Sequence, residues 1–179
     1  ILKIGMSNIQ INGKEYEFPN TMINAIKTCK EAGIHPNCTW IMGYPGESLE
    51  HLQISAAFIL WQEDFWSSEY KPNTQEYNIA RTYVNKKMFT ATAYPGTAMW
   101  NRVRDKLTHH FDISYDSSGQ PVCDEAFHKY VLELDDATKV LNDKNGTPVN
   151  FGEMCLDTFL QARDHIDNGN LDKVLEMEE

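Results

Sequence analysis

The chain has 179 residues, of which 41% are apolar, and it carries a formal net charge of -10. Its length fits one ordinary domain, or a domain with a helical extension, and the apolar fraction excludes a wholly disordered chain. The acidic balance argues against binding to nucleic acids or to anionic membrane surfaces, because both kinds of binding need clustered Lys and Arg. No apolar run reaches the ~18 residues of a membrane span.

The amino-terminal segment has the pattern of a hairpin. Residues 1–6 predict a short strand that ends in a polar turn at Ser7-Asn8. A second extended piece, residues 9–11, runs into Asn12-Gly13, which is the strongest two-residue signal for a β-hairpin. We expect the chain to return through residues 16–18.

A helix and a buried strand are predicted next. Asn20 is the expected N-cap and Gly33 the expected stop of the helix. Three residues at helical spacing form its predicted inward face: Met22, Ile26 and Cys29. The apolar run 38–42 is typical of a strand buried on both faces, as in parallel sheets.

A second helix begins near Leu49, after a tight loop at residues 43–48. Its predicted inward stripe contains Leu49, Leu52, Ala56 and Ile59 or Leu60. Residues 62–78 are polar and aromatic, include Pro72, and predict a loop or an irregular crossover. The aromatic residues Trp61, Phe65, Trp66 and Tyr70 favour internal packing over a partner surface.

The third strand and helix repeat this arrangement. Residues 87–92 predict a strand that ends in a turn at 94–97, where Thr97 can cap the following helix. The predicted inward face of that helix contains Trp100, Val103 and Leu107. Alternating strands and helices with tight turns at the strand ends favour parallel strands joined by crossover helices.

The carboxyl-terminal part predicts helices and carries the acidic excess. Residues 1–97 have a net charge of -1 and residues 98–179 a net charge of -9. Residues 124–141 predict an amphipathic helix with Phe127, Val131, Leu134 and Leu141 inward. Asn150 and Glu153 resemble a capping box before a helix with Cys155, Phe159, Ala162 and Ile166 inward, and a short helix is expected over 170–177.

Ligand sites in parallel β/α folds form at the carboxyl ends of the strands. Three such ends are available, at residues 5–8, 43–47 and 94–97, and each contains a glycine that would let a ligand approach the backbone. Two of them share the sequence Tyr-Pro-Gly followed by a polar residue and a helix. Plain turn chemistry is the competing interpretation of these two segments.

These segments carry a resemblance to a known superfamily. Residues 40–48, Trp-Ile-Met-Gly-Tyr-Pro-Gly-Glu-Ser, resemble the fifth-strand motif of radical S-adenosylmethionine enzymes, closest to the branch that also has a cobalamin-binding domain. Residues 25–33 look like the helix before that strand, and residues 89–100, with Tyr-Pro-Gly-Thr, are similar to the sixth strand and its turn. Residues 4–7, Ile-Gly-Met-Ser, lie where the fourth strand would end.

The resemblance implies an α/β fold, a partial (incomplete) parallel β/α barrel over residues 1–108, with an acidic helical extension over residues 109–179. It implies that Ile41 and Gly43 lie along the adenine of S-adenosylmethionine, with the backbone of residues 43–46 lining the pocket. Ser7 would contact the ribose or the methionine portion. The implied cosubstrate-binding residues are Ser7, Ile41, Gly43, Tyr44, Pro45, Gly46, Tyr94, Pro95 and Gly96.

The activity implied by the resemblance is reductive cleavage of S-adenosylmethionine at an iron–sulfur cluster, leading in this branch to methyl transfer or oxidative cyclisation. The CxxxCxxC cluster motif, the cosubstrate segment of the second strand and any cobalamin module are missing from this sequence. We therefore expect a carboxyl-terminal fragment that is inactive alone and binds none of these cofactors by itself. Its expected partners are the missing amino-terminal part of the enzyme and a second copy that covers the open strand edge.

Two other interpretations stay open: a non-catalytic interaction or scaffold module that retains the β/α unit, and a small enzyme or binder that holds an anion at the helix N-termini after the Pro-Gly turns. Four widely separated cysteines, Cys29, Cys38, Cys123 and Cys155, predict reduced thiols in a cytoplasmic protein and no metal site. His109-His110 has no further ligand at suitable spacing and predicts an exposed helix end.

Overall fold

The computed structural model describes residues 5–111, 113–122, 125–133, 142, 145–146 and 149–179. These residues form a mixed α/β structure with one antiparallel and one parallel two-stranded sheet, and no closed barrel lies among them. Two units can be distinguished. The first comprises Ile1–Trp40, Leu49–Lys87 and Gln161–Glu178, and the second comprises Ile41–Ser48, Met88–Leu160 and Glu179.

The first unit contains the hairpin, in which β1 (Met6–Ile11) pairs antiparallel with β2 (Lys14–Pro19). The backbone φ angle is positive at both Asn12 and Gly13, as a type I′ turn requires. The hairpin prediction is therefore confirmed. The predicted turn at Ser7-Asn8 is wrong, because the register set by the Asn-Gly turn extends the pairing back to Met6 and keeps both residues inside β1.

The helix α1 (Asn20–Glu31) follows β2 directly. Pro19 stands at the cap position and Asn20 is already helical, so the N-cap prediction is displaced by one residue. Of the predicted inward residues, Ile26 is buried and Cys29 is half-buried, but Met22 is exposed and its neighbour Ile23 is buried instead. Gly33 lies after the helix at a φ of 67°, which fits the predicted stop.

The long helix α2 (Leu49–Ser67) extends beyond its predicted end, and a short helix α3 (Gln75–Arg81) follows it. The prediction of a loop over 62–78 is therefore wrong for much of that range. The polar residues remain helical because they have partners: Glu63 is ion-paired, and the Ser67 hydroxyl donates to the Glu63 carbonyl at 2.8 Å. Trp66 is buried, which confirms packing for this aromatic residue, whereas Tyr70 is exposed.

The last helix of the first unit, α7 (Leu171–Leu175), packs against α2. The buried Gln53 side chain of α2 donates to the carbonyls of Val174 and Met177, at 3.1 and 2.9 Å. These bonds join the carboxyl-terminal end of α7 and the residues after it to α2.

The strands β3 (Trp40–Met42) and β4 (Met88–Thr90) form a parallel pair, which belongs to the second unit except for Trp40. The Ala91 amide donates to the Met42 carbonyl at 2.8 Å. Both predicted strands exist but are shorter than expected. The prediction that β3 is buried on both faces is wrong: neighbouring residues of a strand point to opposite sides, and packing covers Met42 but leaves Ile41 exposed.

The helix α4 (Ala98–Phe111) begins as predicted, with the Trp100 amide donating to the Thr97 hydroxyl at 3.1 Å. The three predicted inward residues of this helix are buried. They belong to the core of the second unit, which contains Ala93, Trp100, Val103, Leu107, Phe111, Ile113, Val149 and Phe151.

The predicted helix over 124–141 is described in part, as α5 (Glu125–Glu133). Val131 is exposed, so its predicted inward position is wrong. Leu134 and Leu141, two other predicted inward residues, lie outside the described residues, as does Cys123.

The helix α6 (Leu156–Asp167) begins later than predicted. The Asn150 side chain accepts from the Gly152 amide and donates to the Met154 carbonyl, so it closes a turn before the helix and the predicted capping box is wrong. Three predicted inward residues are buried, namely Phe159, Ala162 and Ile166. Cys155 is exposed, because it stands before the first helical residue.

Candidate functional site

Two Tyr-Pro-Gly turns follow the neighbouring strands β3 and β4 in the second unit. In the first, the Glu47 amide donates to the Tyr44 carbonyl at 2.8 Å. In the second, the Thr97 amide donates to the Tyr94 carbonyl at 3.2 Å. Gly46 and Gly96, each in the third position of its turn, have φ angles of 90° and 82°. Proline in the second position and a positive φ in the third are typical of type II turns. The same backbone geometry therefore occurs twice at the carboxyl end of the parallel pair.

Both turns leave apolar side chains in solvent. Ile41 is 54% exposed although it lies in a strand. Tyr44 and Tyr94, which open the two turns, are exposed as well. A Cβ added at Gly46 or Gly96 would meet no atom within 4 Å. The carboxyl end of the parallel pair thus combines accessible backbone with aromatic and aliphatic surface, a composition that suits a planar organic ligand.

The first turn is held from within by Glu47. The carboxylate of Glu47 accepts a hydrogen bond from the Gly43 amide. The backbone carbonyl of Glu47 accepts a hydrogen bond from the Glu153 amide at 2.8 Å. The acidic group therefore has a structural role, and its negative charge opposes the binding of a second anion at this turn.

The segment 149–159 covers one side of the first turn. A Cβ at Gly43, whose φ is 75°, would lie 3.0 Å from Cε2 of Phe159. A Cβ at Gly152 would lie 2.9 Å from the Glu47 carbonyl oxygen. Both glycines are required by this close packing, so part of the backbone that was expected to face a ligand faces the protein itself.

The predicted site residues fall into two groups. Tyr44, Pro45 and Gly46, together with Ile41 and Gly43, belong to the second unit, and so do Tyr94, Pro95 and Gly96. The two turns follow strands that are hydrogen-bonded neighbours, because β3 pairs with β4. Ser7 belongs to the first unit, in β1, where its hydroxyl donates to the Asn20 side chain.

The thiols of Cys38 and Cys155 differ in the direction in which the protein shifts their pKa. Burial, followed by the nearby Cys29, raises the pKa of Cys38. The pKa of Cys155 is lowered, first by a hydrogen bond from the Thr158 hydroxyl and then by the Thr158 amide. Within the described residues no three His, Cys, Asp or Glu side chains come together as a possible metal site.

Sequence reasoning missed two features. The first is the covering of Gly43 by Phe159, for which the only signal was the polar turn around Asn150. The second is the buried Glu63, which forms ion pairs with Arg81 and Lys86 in the first unit. A charged residue in a stretch interpreted as a loop carries no signal of burial.

Comparison with protein-family models, with curated proteins and with solved structures finds no match for this chain.

Among the residues that the structure describes, no helix has the length and apolar character needed to cross a membrane.

Proposed function

We propose that this chain provides the S-adenosylmethionine-facing strands of a radical S-adenosylmethionine-type β/α barrel of the cobalamin-linked branch. In this proposal the chain contributes strands, turns and a covering helical extension, and it binds the adenosyl portion of the cosubstrate even when it is alone. This revises the expectation drawn from the sequence, because Ile41 and the backbone at Gly46 are already exposed in this chain. The reaction itself requires a cluster-bearing part that this sequence does not contain.

One observation carries the proposal: two adjacent parallel strands both end in a Tyr-Pro-Gly type II turn that leads into a helix. A two-stranded parallel pair is a small element, and parallel strands usually belong to larger sheets covered by helices. Each strand of the pair has one hydrogen-bonded neighbour among the described residues. Their outer edges are therefore suited to pairing with further strands.

The residues at the turns suit an adenosyl group better than they suit the other implied cofactors. Ile41 offers an exposed aliphatic surface and Gly46 an open backbone, which together suit a flat purine ring. The chain does not fit an iron–sulfur cluster, because it has no CxxxCxxC motif and the described residues include no group of three metal ligands. No cobalamin module is present in the sequence either, so no chemical step is assigned to these groups.

Ligand titration of the isotopically labelled chain tests the proposal. S-adenosylmethionine is expected to shift the amide resonances of Ile41, Gly43 and Gly46. Ile41→Ala removes apolar contact area worth about 1 kcal/mol, which corresponds to a roughly fivefold loss of affinity. Ile34→Ala is the matched control, because Ile34 is 56% exposed and lies in the first unit.

Three results would contradict the proposal: no resonance shifts, shifts confined to the first unit, or equal affinity losses in the two isoleucine variants. A separate assay addresses the inactivity of the chain alone. Incubation with iron, sulfide, a strong reductant and S-adenosylmethionine is expected to yield no 5′-deoxyadenosine, and its formation would show that this chain can assemble a cluster.

The packing of Phe159 against Gly43 favours a second candidate, a non-catalytic interaction module that retains the β/α unit. In that case the segment 149–159 replaces a ligand at the turn. The same titration distinguishes the candidates, because the module would bind other strands but not S-adenosylmethionine. Self-association through the outer edge of β3 or β4 belongs to both candidates, and sedimentation velocity over a range of concentrations measures it.

A further inference from the structure

A groove of about 920 Å³ lies within the first unit. Its walls come from residues 35–37, from the face of α3 that carries Asn78 and Arg81, and from the segment 82–87. The groove is in the size range of small-molecule sites. It contains none of the residues considered above for S-adenosylmethionine, so it stands independently of the proposed function.

A buried ion-pair network forms one wall of the groove. Glu63 is 1% exposed and lies 3.0 Å from a guanidinium nitrogen of Arg81, while Lys86 contacts its other carboxylate oxygen. Arg81 also donates to Asp64 at 2.9 Å. Burial acts to lower the pKa of Arg81, but Glu63 and Asp64 raise it above its ordinary value, so the guanidinium remains charged. The network holds two cations in fixed positions at the groove.

The balance of charge at the groove is positive in a chain whose net charge is -10. The charged lining residues are three cations, Arg81, Lys86 and Lys87, and two carboxylates, Glu63 and Asp167. Asp167 is paired with Arg163 at 2.9 Å, and no ion pair of Lys87 is found among the described residues. An incoming anion therefore meets an accessible ammonium group beside two cations that are already positioned.

Aromatic rings complete the groove. The rings of His35 and Tyr83 are in contact, with their centroids 3.9 Å apart, and both residues line the groove. The buried Trp66 packs against both residues, with its ring centroid 5.0 Å from that of His35 and 6.1 Å from that of Tyr83. Tyr83 remains 39% exposed despite these contacts, which leaves part of a rigid aromatic surface open to a ligand.

We propose that this groove binds a small anion that carries a planar ring, the chemistry shared by mononucleotides and aromatic carboxylates. The ring lies against the His35–Tyr83 pair, and the anionic group is held by Lys87 with Arg81 and Lys86. Asn37 and Asn78, which also line the groove, supply amide groups that can bond to the polar edge of the ring.

Four probes separate the contributions to binding: adenosine monophosphate, adenosine, inorganic phosphate and 4-hydroxybenzoate. Isothermal titration and amide resonance shifts of the whole chain report binding. A ring with an anionic group is expected to bind at least fivefold more tightly than adenosine or phosphate alone. Comparison of the monophosphate with the benzoate tells whether the groove prefers a mononucleotide or an aromatic carboxylate.

Lys87→Gln is the informative variant, because Lys87 is exposed and its removal leaves the Glu63 network intact. It is expected to weaken binding of the favoured probe by about three- to tenfold, in keeping with the loss of one charge-assisted contact. Lys71→Gln is the matched control, an exposed lysine of the same unit outside the groove. Tyr83→Leu should weaken both ring-bearing anions and leave phosphate binding unchanged.

The proposal is overturned if none of the probes shifts resonances of groove residues at millimolar concentration. It is also overturned if Lys87→Gln and Lys71→Gln change affinity equally, since that would indicate general charge attraction. Shifts at Ile41 and the Tyr-Pro-Gly turns with adenosine compounds report the other unit, so failure here and failure of the proposed function give different patterns.

Discussion

Substitution of Gly43 by alanine tests how the first Tyr-Pro-Gly turn is held. Gly43 has a φ of 75°, a region in which an L residue is strained by about 1–2 kcal/mol. The added Cβ would also lie 3.0 Å from Cε2 of Phe159 and 3.5 Å from the side-chain oxygen Oδ1 of Asn150. Phe159 is fully buried, so its ring cannot move out into solvent without losing its packing.

The expected magnitude comes from these two costs together. Overpacking of a filled interior adds about 1–3 kcal/mol to the backbone strain, so Gly43→Ala should destabilise the second unit by about 2–5 kcal/mol. Gly46→Ala is a close control. Its φ of 90° imposes backbone strain, but nothing lies within 4 Å of the added Cβ. It should therefore cost only about 1–2 kcal/mol.

Urea unfolding followed by circular dichroism measures the free energy of unfolding of each variant, and hydrogen exchange assigns the loss to the second unit. A Gly43→Ala/Phe159→Leu double variant completes a thermodynamic cycle. Because the smaller side chain makes room for the methyl group, the two substitutions should show a favourable coupling of about 1 kcal/mol. Equal costs for Gly43→Ala and Gly46→Ala, together with a coupling of zero, would refute the packing of Phe159 on this turn.

Three further predictions concern other parts of the chain. Thr97→Ala should destabilise α4 by about 1 kcal/mol and Thr97→Ser by much less, measured by urea unfolding, because the hydroxyl caps the Trp100 amide. Glu63→Gln should lower the free energy of unfolding by about 1–3 kcal/mol, and by less when Arg81→Gln is already present. Equal losses from Glu63→Gln with and without Arg81→Gln would contradict the ion pair. In a Cys123→Ser background, iodoacetamide should modify Cys155 at a lower pH than Cys38, because Thr158 lowers the pKa of Cys155 and burial raises the pKa of Cys38. The thiolate is the nucleophile in this reaction, so Thr158→Val should move the pH profile of Cys155 modification to higher pH.

Local chemistry explains why some elements could be predicted closely. Asn12-Gly13 specified the type I′ turn, because few other residue pairs accept positive φ at both positions. Pro and Gly in the second and third positions specified both type II turns, and Thr97 was identified as a cap from its place before an apolar helical pattern. In each case a few adjacent residues contain the whole physical cause.

Errors arose where burial by distant residues decided the outcome. The polar and aromatic residues 62–67 predict a loop, yet they continue α2, where Glu63 is paired with Arg81 from α3. Helical spacing alone predicts that Val131 faces inward, but Val131 is exposed. Helical periodicity identifies which residues share a face, but not whether another element covers that face.

The candidate site shows the same division. The sequence alone determined that two turns with exposed backbone follow two short strands, because proline, glycine and chain order suffice for that. Only the tertiary structure decided that these strands are neighbours in a parallel pair and that Phe159, more than a hundred residues after Gly43, packs on the glycine without a Cβ. It also brought His35, Arg81 and Lys87 to one groove. Such contacts depend on which apolar surfaces pack together to exclude water, a property of the folded chain as a whole.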